Sequence, residues 1–325
     1  MDKKRIPLWD NLRFLLIVCV VVGHYIDQIN CGPYRSLFFF ITIFHMPLFL
    51  FVSGLFHSNR NILPKMLSYF AIYILLKIII FSVRRAFGTE WDFLVFEELG
   101  VPWFMFALAV FLGLTYLLRN INLKFILLFN LILALFSGFD QNVADFLVMS
   151  RLIVYYPFYL AGVLVGRQDL ENLHEKRIVR AASCVVLMIC AAVCLLFCDR
   201  IYFLRHLFTG RNPFADSVVQ YGPLYRLLCY AVTSIVGFAV IMITPARSLG
   251  PVTAWGSRTL QVYFWHQPLL YVLTGLDIHT LICRTSPGKI AWILLSVAIT
   301  VLLSFRIFRF PTSQILAAPY KKENS

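Results

Sequence analysis

The distribution of apolar residues leaves this chain a single class of fold. Stretches of roughly spanning length fall near 12–31, 36–56, 65–84, 102–119, 123–138, 151–166, 178–197, 222–244, 252–275 and 288–307. A helix needs about 20 apolar residues to cross the hydrocarbon layer. Inside lipid every backbone N–H and C=O has to be satisfied by protein, so only helices and closed barrels span. Runs this long and uniformly apolar belong to helices. The expectation is an all-α integral membrane protein with about ten transmembrane helices. The short stretches at 123–138 and 151–166 read as tilted pieces or half-spans and leave nine or eleven open. Composition agrees: 60% of the 325 residues are hydrophobic and 14% charged, where a soluble domain carries about 25% charged residues. No stretch suffices for a separate soluble domain, so 1–325 reads as one domain.

Charge bias gives the direction of the chain. With the N-terminus inside, the cytoplasmic segments collect Lys3, Lys4, Arg5, Arg13, Arg60, Lys65, Arg119, Lys124, Arg167, Lys176, Arg177, Arg180, Arg247, Arg306, Arg309, Lys321 and Lys322. The opposite side holds fewer: Arg35, Arg84, Arg85, Arg151, Arg200, Arg205, Arg211, Arg284 and Lys289, with Lys77, Arg226 and Arg258 inside spans. Both termini are expected in the cytoplasm, with 310–325 as a cytoplasmic tail. The net charge of +13 then reflects topology rather than nucleic-acid binding, because no basic run is interleaved with exposed aromatics in a soluble segment. The start resembles a signal peptide, but its apolar run is too long, holds Arg13 and His24, and has no Ala-x-Ala exit; it reads as a retained first span. The eight cysteines show no metal-ligand spacing, and no metal is expected. Cys31, Cys198 and Cys283 fall near helix ends on one expected side, where a disulfide between two of them is open.

Ionisable groups inside spans cost free energy and point to function. Arg13 and His24 lie 11 residues apart in one helix, about three turns and roughly 16 Å, so they share a face. His45, in Phe44-His45-Met46-Pro47, and His266, in Trp265-His266-Gln267-Pro268, lie about as far from the inner surface as His24, roughly 18–20 Å. Pro47 and Pro268 each follow two residues later, able to bend the helix and free a carbonyl. A lone histidine in a bundle is more often a packed, hydrogen-bonded residue than a catalyst. His24 stands apart because Asp27 is three residues on, within reach to hold the imidazole tautomer. The competing reading of Asp27 is an interfacial carboxylate facing water.

Arg13, Arg60, Lys65 and Arg258 lie at the expected inner ends of spans. A guanidinium is a planar fork suited to phosphate, whereas Lys65 reads as a plain positive-inside anchor. A donor with a phosphorylated head and a thin arm fits this stripe, and acyl-coenzyme A has both: Arg13, Arg60 and Arg258 are candidates for its phosphates. On the outer side, Glu90, Trp91 and Asp92 form a weaker candidate acceptor surface, since sugars stack on aromatics and hydrogen-bond to carboxylates. A solvated loop with an interfacial tryptophan explains them equally well.

Four motifs carry a resemblance: Trp9-Asp10-Asn11-Leu12-Arg13 followed by ten residues and His24; Phe44-His45-Met46-Pro47-Leu48-Phe49-Leu50-Phe51-Val52-Ser53-Gly54 followed by Arg60; Pro102-Trp103-Phe104; and Thr259-Leu260-Gln261-Val262-Tyr263-Phe264-Trp265-His266-Gln267-Pro268. The chain resembles the membrane acyltransferase type 3 family, in particular its fucose 4-O-acetylase branch. The resemblance implies about ten membrane helices and transfer of an acyl group, commonly acetyl, from acyl-CoA to a sugar hydroxyl of a surface or secreted glycan. It implies His24 as the catalytic histidine paired with Arg13, a basic position at Arg60, and supporting positions at His45, His266 and Trp103. It also implies a multi-pass protein of a bacterial inner membrane, with acetyl-CoA as co-substrate and a glycan or lipid-linked sugar as acceptor. The competing class is a transporter of a lipid-linked or sugar substrate, since intramembrane histidines also suit proton coupling; no internal repeat supports it.

Overall fold

The computed structural model describes residues 6–29, 31–89, 93, 95–97 and 100–321. Helices build it, and no strand occurs among the described residues. In chain order they are α1 (Pro7–Asp27), α2 (Gly32–Leu55), α3 (Ile62–Ala86), α4 (Trp103–Leu117), α5 (Leu123–Phe136), α6 (Met149–Leu164), α7 (Arg167–Glu175), α8 (Arg177–Ile201), α9 (Arg205–Phe208), α10 (Gly222–Ile243), α11 (Pro251–Gly256), α12 (Thr259–Gly275), α13 (Ile278–Ile282), α14 (Ser286–Leu303) and α15 (Thr312–Lys321).

Six helical segments are long and apolar enough to cross a membrane: α1, α2, α3, α8 continued to Phe208, α10 with the turn before it, and α14. The remaining expected spans differ from the expectation. Helices α4 and α5 have 15 and 14 residues, about 22 Å of rise against a hydrocarbon layer of about 30 Å. α4 is buried on almost every side, so it packs within protein rather than against lipid. α6 is followed by α7 at a bend of 79°; α7 is polar and lies across the bundle end, where Glu171 accepts from Trp9 Nε1 at 2.8 Å and His174 donates to Thr244 O at 2.7 Å. The stretch expected as one span at 252–275 is broken at Ser257 and Arg258 into α11 and α12. Gly256 lies so close to α1 that a Cβ there would collide with the carbonyl of Asp10.

Close backbone approach sets the centre of the bundle. α2 and α6 meet through Gly54 and Gly162, where an added Cβ would strike the carbonyl oxygen of Tyr159 or of Phe51 respectively. Pro47 offers no N–H to Ile43 O, four residues earlier, and the freed carbonyl accepts from Thr233 Oγ1 of α10 at 2.7 Å. The beginning of α1 is clamped as well: Asn11, buried, donates to Pro245 O and Arg247 O and accepts from Thr253 Oγ1. Gln261 and Trp265 of α12 share one face at a step of four residues, and Arg258 sits just before that helix. Arg258 donates to Ser304 O, Gln261 to Leu303 O and Phe305 O, and Trp265 to Phe310 O, pinning the chain after α14 along the start of α12. All eight cysteines are free thiols, so the open disulfide between two of Cys31, Cys198 and Cys283 is not formed.

Candidate active site

Helices α1, α2 and α12 enclose two cavities stacked along their length. The first, of about 340 Å³, is lined from α1 by Val20, His24 and Asp27, from α2 by Phe38, Thr42, His45 and Met46, and from α12 by Tyr263, Gln267 and Tyr271. The second, of about 160 Å³, takes Arg13, Ile17 and Val20 of α1, Met46, Phe49 and Ser53 of α2, and Thr259 and Tyr263 of α12. Each helix thus gives one half of its length to one cavity and the other half to the next. Val20, Met46 and Tyr263 line both and form a septum one side chain thick. His24 stands on the Asp27 side of that septum and Arg13 on the other, as their shared helical face requires.

The three histidines meet here. His24 and His45 line the first cavity, and the His24 and His266 rings are 5.4 Å apart, centre to centre, inclined by 36°. A carbonyl oxygen can only accept, so the contacts of His45 Nδ1 to Ile41 O (2.8 Å) and His266 Nδ1 to Val262 O (3.1 Å) place a proton on each Nδ1. In the neutral rings Nε2 is then the lone-pair nitrogen. His266 is fully buried and its Nε2 has no hydrogen-bond partner among the described residues. Gln267 beside it lines the cavity, and its buried Oε1 likewise has none.

Asp27 is the last residue of α1 and sits at the cavity mouth. Its Oδ1 pairs with Arg205 at 3.3 Å, and no hydrogen bond joins it to His24 among the described residues. The carboxylate is engaged instead by Arg205, the first residue of α9. Trp103, at the start of α4, is buried, stacks on Tyr155 at 5.5 Å and lies under the Arg151 guanidinium at 4.4 Å. Trp103, Tyr155 and Arg151 all line the first cavity, together with Arg205, His206 and Arg211.

The loop bearing those last residues is held from behind. Ser150 Oγ donates to Gly210 O, Tyr155 Oη to Phe208 O, and the buried Arg226 of α10 to Arg211 O and Ala134 O. Around the second cavity Arg13 lies 3.7 Å from the buried Asp10 and 4.5 Å above the Phe56 ring. Arg258 is at the head of α12, and Arg60 is exposed in the turn after α2, lining neither cavity. Glu90, Trp91 and Asp92 lie outside the described residues.

Two stacked cavities, with histidines in one and a guanidinium in the other, are what the first and second motifs build, and a family model described as an acyltransferase domain matches residues 6–309. The chain belongs to the membrane acyltransferase type 3 family. No curated protein and no solved structure matches the chain. For a member of the acyltransferase family, the residues that sequence reasoning passed over stand out: Arg151, Tyr155, Arg205, His206, Arg211, Tyr263 and Gln267. A signal existed for some of them. Arg151, Arg205 and Arg211 are cations on the side that charge bias disfavours, and Tyr263 and Gln267 flank His266 at helical spacing.

Proposed function

We propose that this acyltransferase moves an acyl group, in the first instance acetyl, from cytoplasmic acyl-CoA to a sugar hydroxyl of a surface or secreted glycan, as in the sugar O-acetylating branch of its family. In this reading about ten helical segments are embedded in a bacterial inner membrane, both termini face the cytoplasm, the Arg13 cavity opens inward and the Asp27 cavity outward. The donor's pantetheine arm enters past Arg13, with Arg60 and Arg258 near its phosphates, and its thioester reaches the septum. The acceptor sugar lies in the larger cavity between Trp103, Gln267 and the loop after α8. His24 removes the hydroxyl proton as the oxygen attacks the thioester carbonyl; the coenzyme leaves as a thiolate and takes up a proton.

The observation that supports this most is the pair of cavities divided by one layer of side chains, with His24 on one side and Arg13 in helical line on the other. Only an acyl group has to pass that layer. His266, with Nδ1 committed to a carbonyl, can share the proton that His24 gains, while Asp27 holds Arg205 at the mouth. A general base contributes typically 10²–10⁴-fold. Purified protein supplied with labelled acetyl-CoA and glycan from the producing cell should therefore transfer label, and His24→Ala should lower kcat by about that factor at normal protein levels. Undiminished transfer by His24→Ala rejects the assignment; proton-driven sugar flux without acylation supports the transporter class instead.

A further inference from the structure

A second group of cations lies beyond the mouth of the Arg13 cavity. The face of α12 that pins the chain after α14 also fixes where Arg306 and Arg309 sit, in a short 3₁₀ turn. Gln261 and Trp265 hold Phe305 O and Phe310 O on either side of that turn, and Arg258 holds Ser304 O, so the turn lies beside Arg258; Arg306 and Arg309 are both exposed. Arg258 donates one nitrogen to Ser304 O, but its shielded Nε–H has no hydrogen-bond partner among the described residues. Thr259 and Leu260, the next two residues, line the Arg13 cavity. Three arginines are thus carried on neighbouring backbone, which buried Gln261 fixes by holding both Leu303 O and Phe305 O. Such an arrangement repels itself when empty and is stabilised by a multivalent anion. Guanidinium forks select phosphate oxygens among anions.

We propose that Arg258, Arg306 and Arg309 form a phosphate-binding site whose ligand continues into the Arg13 cavity. This rests on the acyl-CoA reading for its preferred occupant, the nucleotide phosphates of the donor; a phospholipid headgroup offers the same chemistry from the surrounding leaflet. Arg306 and Arg309 thereby become donor-binding residues.

The test uses the full chain in nanodiscs of phosphatidylcholine, with coenzyme A and dephospho-coenzyme A as calorimetric probes. Coenzyme A is expected to bind, and Arg306→Gln with Arg309→Gln to weaken it at least about tenfold, the scale of one lost charge-assisted contact. The paired lysine variants should recover part of that loss. A second arm measures phosphatidylglycerol retained from mixed nanodiscs by native mass spectrometry. Loss of the lipid alone in the glutamine variant assigns the site to a headgroup; loss of coenzyme A binding, with dephospho-coenzyme A less affected, assigns it to the donor. If the glutamine variant binds both ligands as the parent does, the site is wrong, whether or not acyl transfer occurs. If phosphate binding is lost as expected while the parent transfers no acyl group to any acceptor, the site stands and the acyltransferase reading falls.

Discussion

At the scale of single residues, Arg226 shows how a buried charge supports the site without touching it. Only 1% of it is exposed, and its guanidinium donates to Ala134 O and Arg211 O. Arg226→Leu would remove those donors; Ala134 O keeps its bond from Ser137 Oγ, but the bond to Arg211 O is lost, at a cost of about 1–3 kcal/mol. The expected outcome is a clear fall in melting temperature in detergent, with faster hydrogen exchange in residues 205–214 than in α1; unchanged exchange there would mean that the loop is held by other bonds. The sequence marked Arg226 as an intramembrane cation but not its task, since its partners are carbonyls, which leave no trace in side-chain identity. His24, His45 and His266 were legible because helical rise puts them at one depth, and the structure gathers them at one place. Asp27 was misread in its partner: spacing along the helix brought it near His24, but the arginine that engages it comes from 178 positions away.

At the scale of helices, one tight constraint is the crossing of α2 and α6. Gly162 faces the Phe51 carbonyl so closely that Gly162→Ala must push the two helices apart. Overpacking of this kind costs about 1–3 kcal/mol. Because α2 carries His45 into the first cavity and Met46 into both, the variant should lose thermal stability and acyl transfer together. A stable variant with full activity would show that the contact relaxes locally. Helix positions were largely readable from hydropathy, since every apolar stretch but the one at 252–275 falls on one helix. Their lengths were not. α4 is short because protein, not lipid, surrounds it, and the break before α12 follows from the contact of Gly256 with α1, a long-range event invisible in local composition.

At the scale of the whole molecule, the proposed orientation has a direct consequence for Cys31. It is an exposed thiol in the short connection between α1 and α2, at the end of the bundle that carries Asp27. If that end faces outward, a membrane-impermeant maleimide should label Cys31 in intact cells or spheroplasts, and a Cys31→Ser variant should lose that signal. Labelling of Cys31 only after lysis would invert the topology and, with it, the assignment of donor and acceptor cavities.

The septum of Val20, Met46 and Tyr263 also bears on bioenergetics. Moving one elementary charge across a membrane exchanges about 2.3 kcal/mol per 100 mV, so a water-filled passage at this depth would dissipate the gradient on which the cell runs. With the cavities opening to opposite sides as proposed, Val20, Met46 and Tyr263 would keep the solvent columns from joining. On the proposed reading, insulation and acyl passage would rest on the same three side chains, and any loosening that admits larger acyl groups would also invite ion leakage.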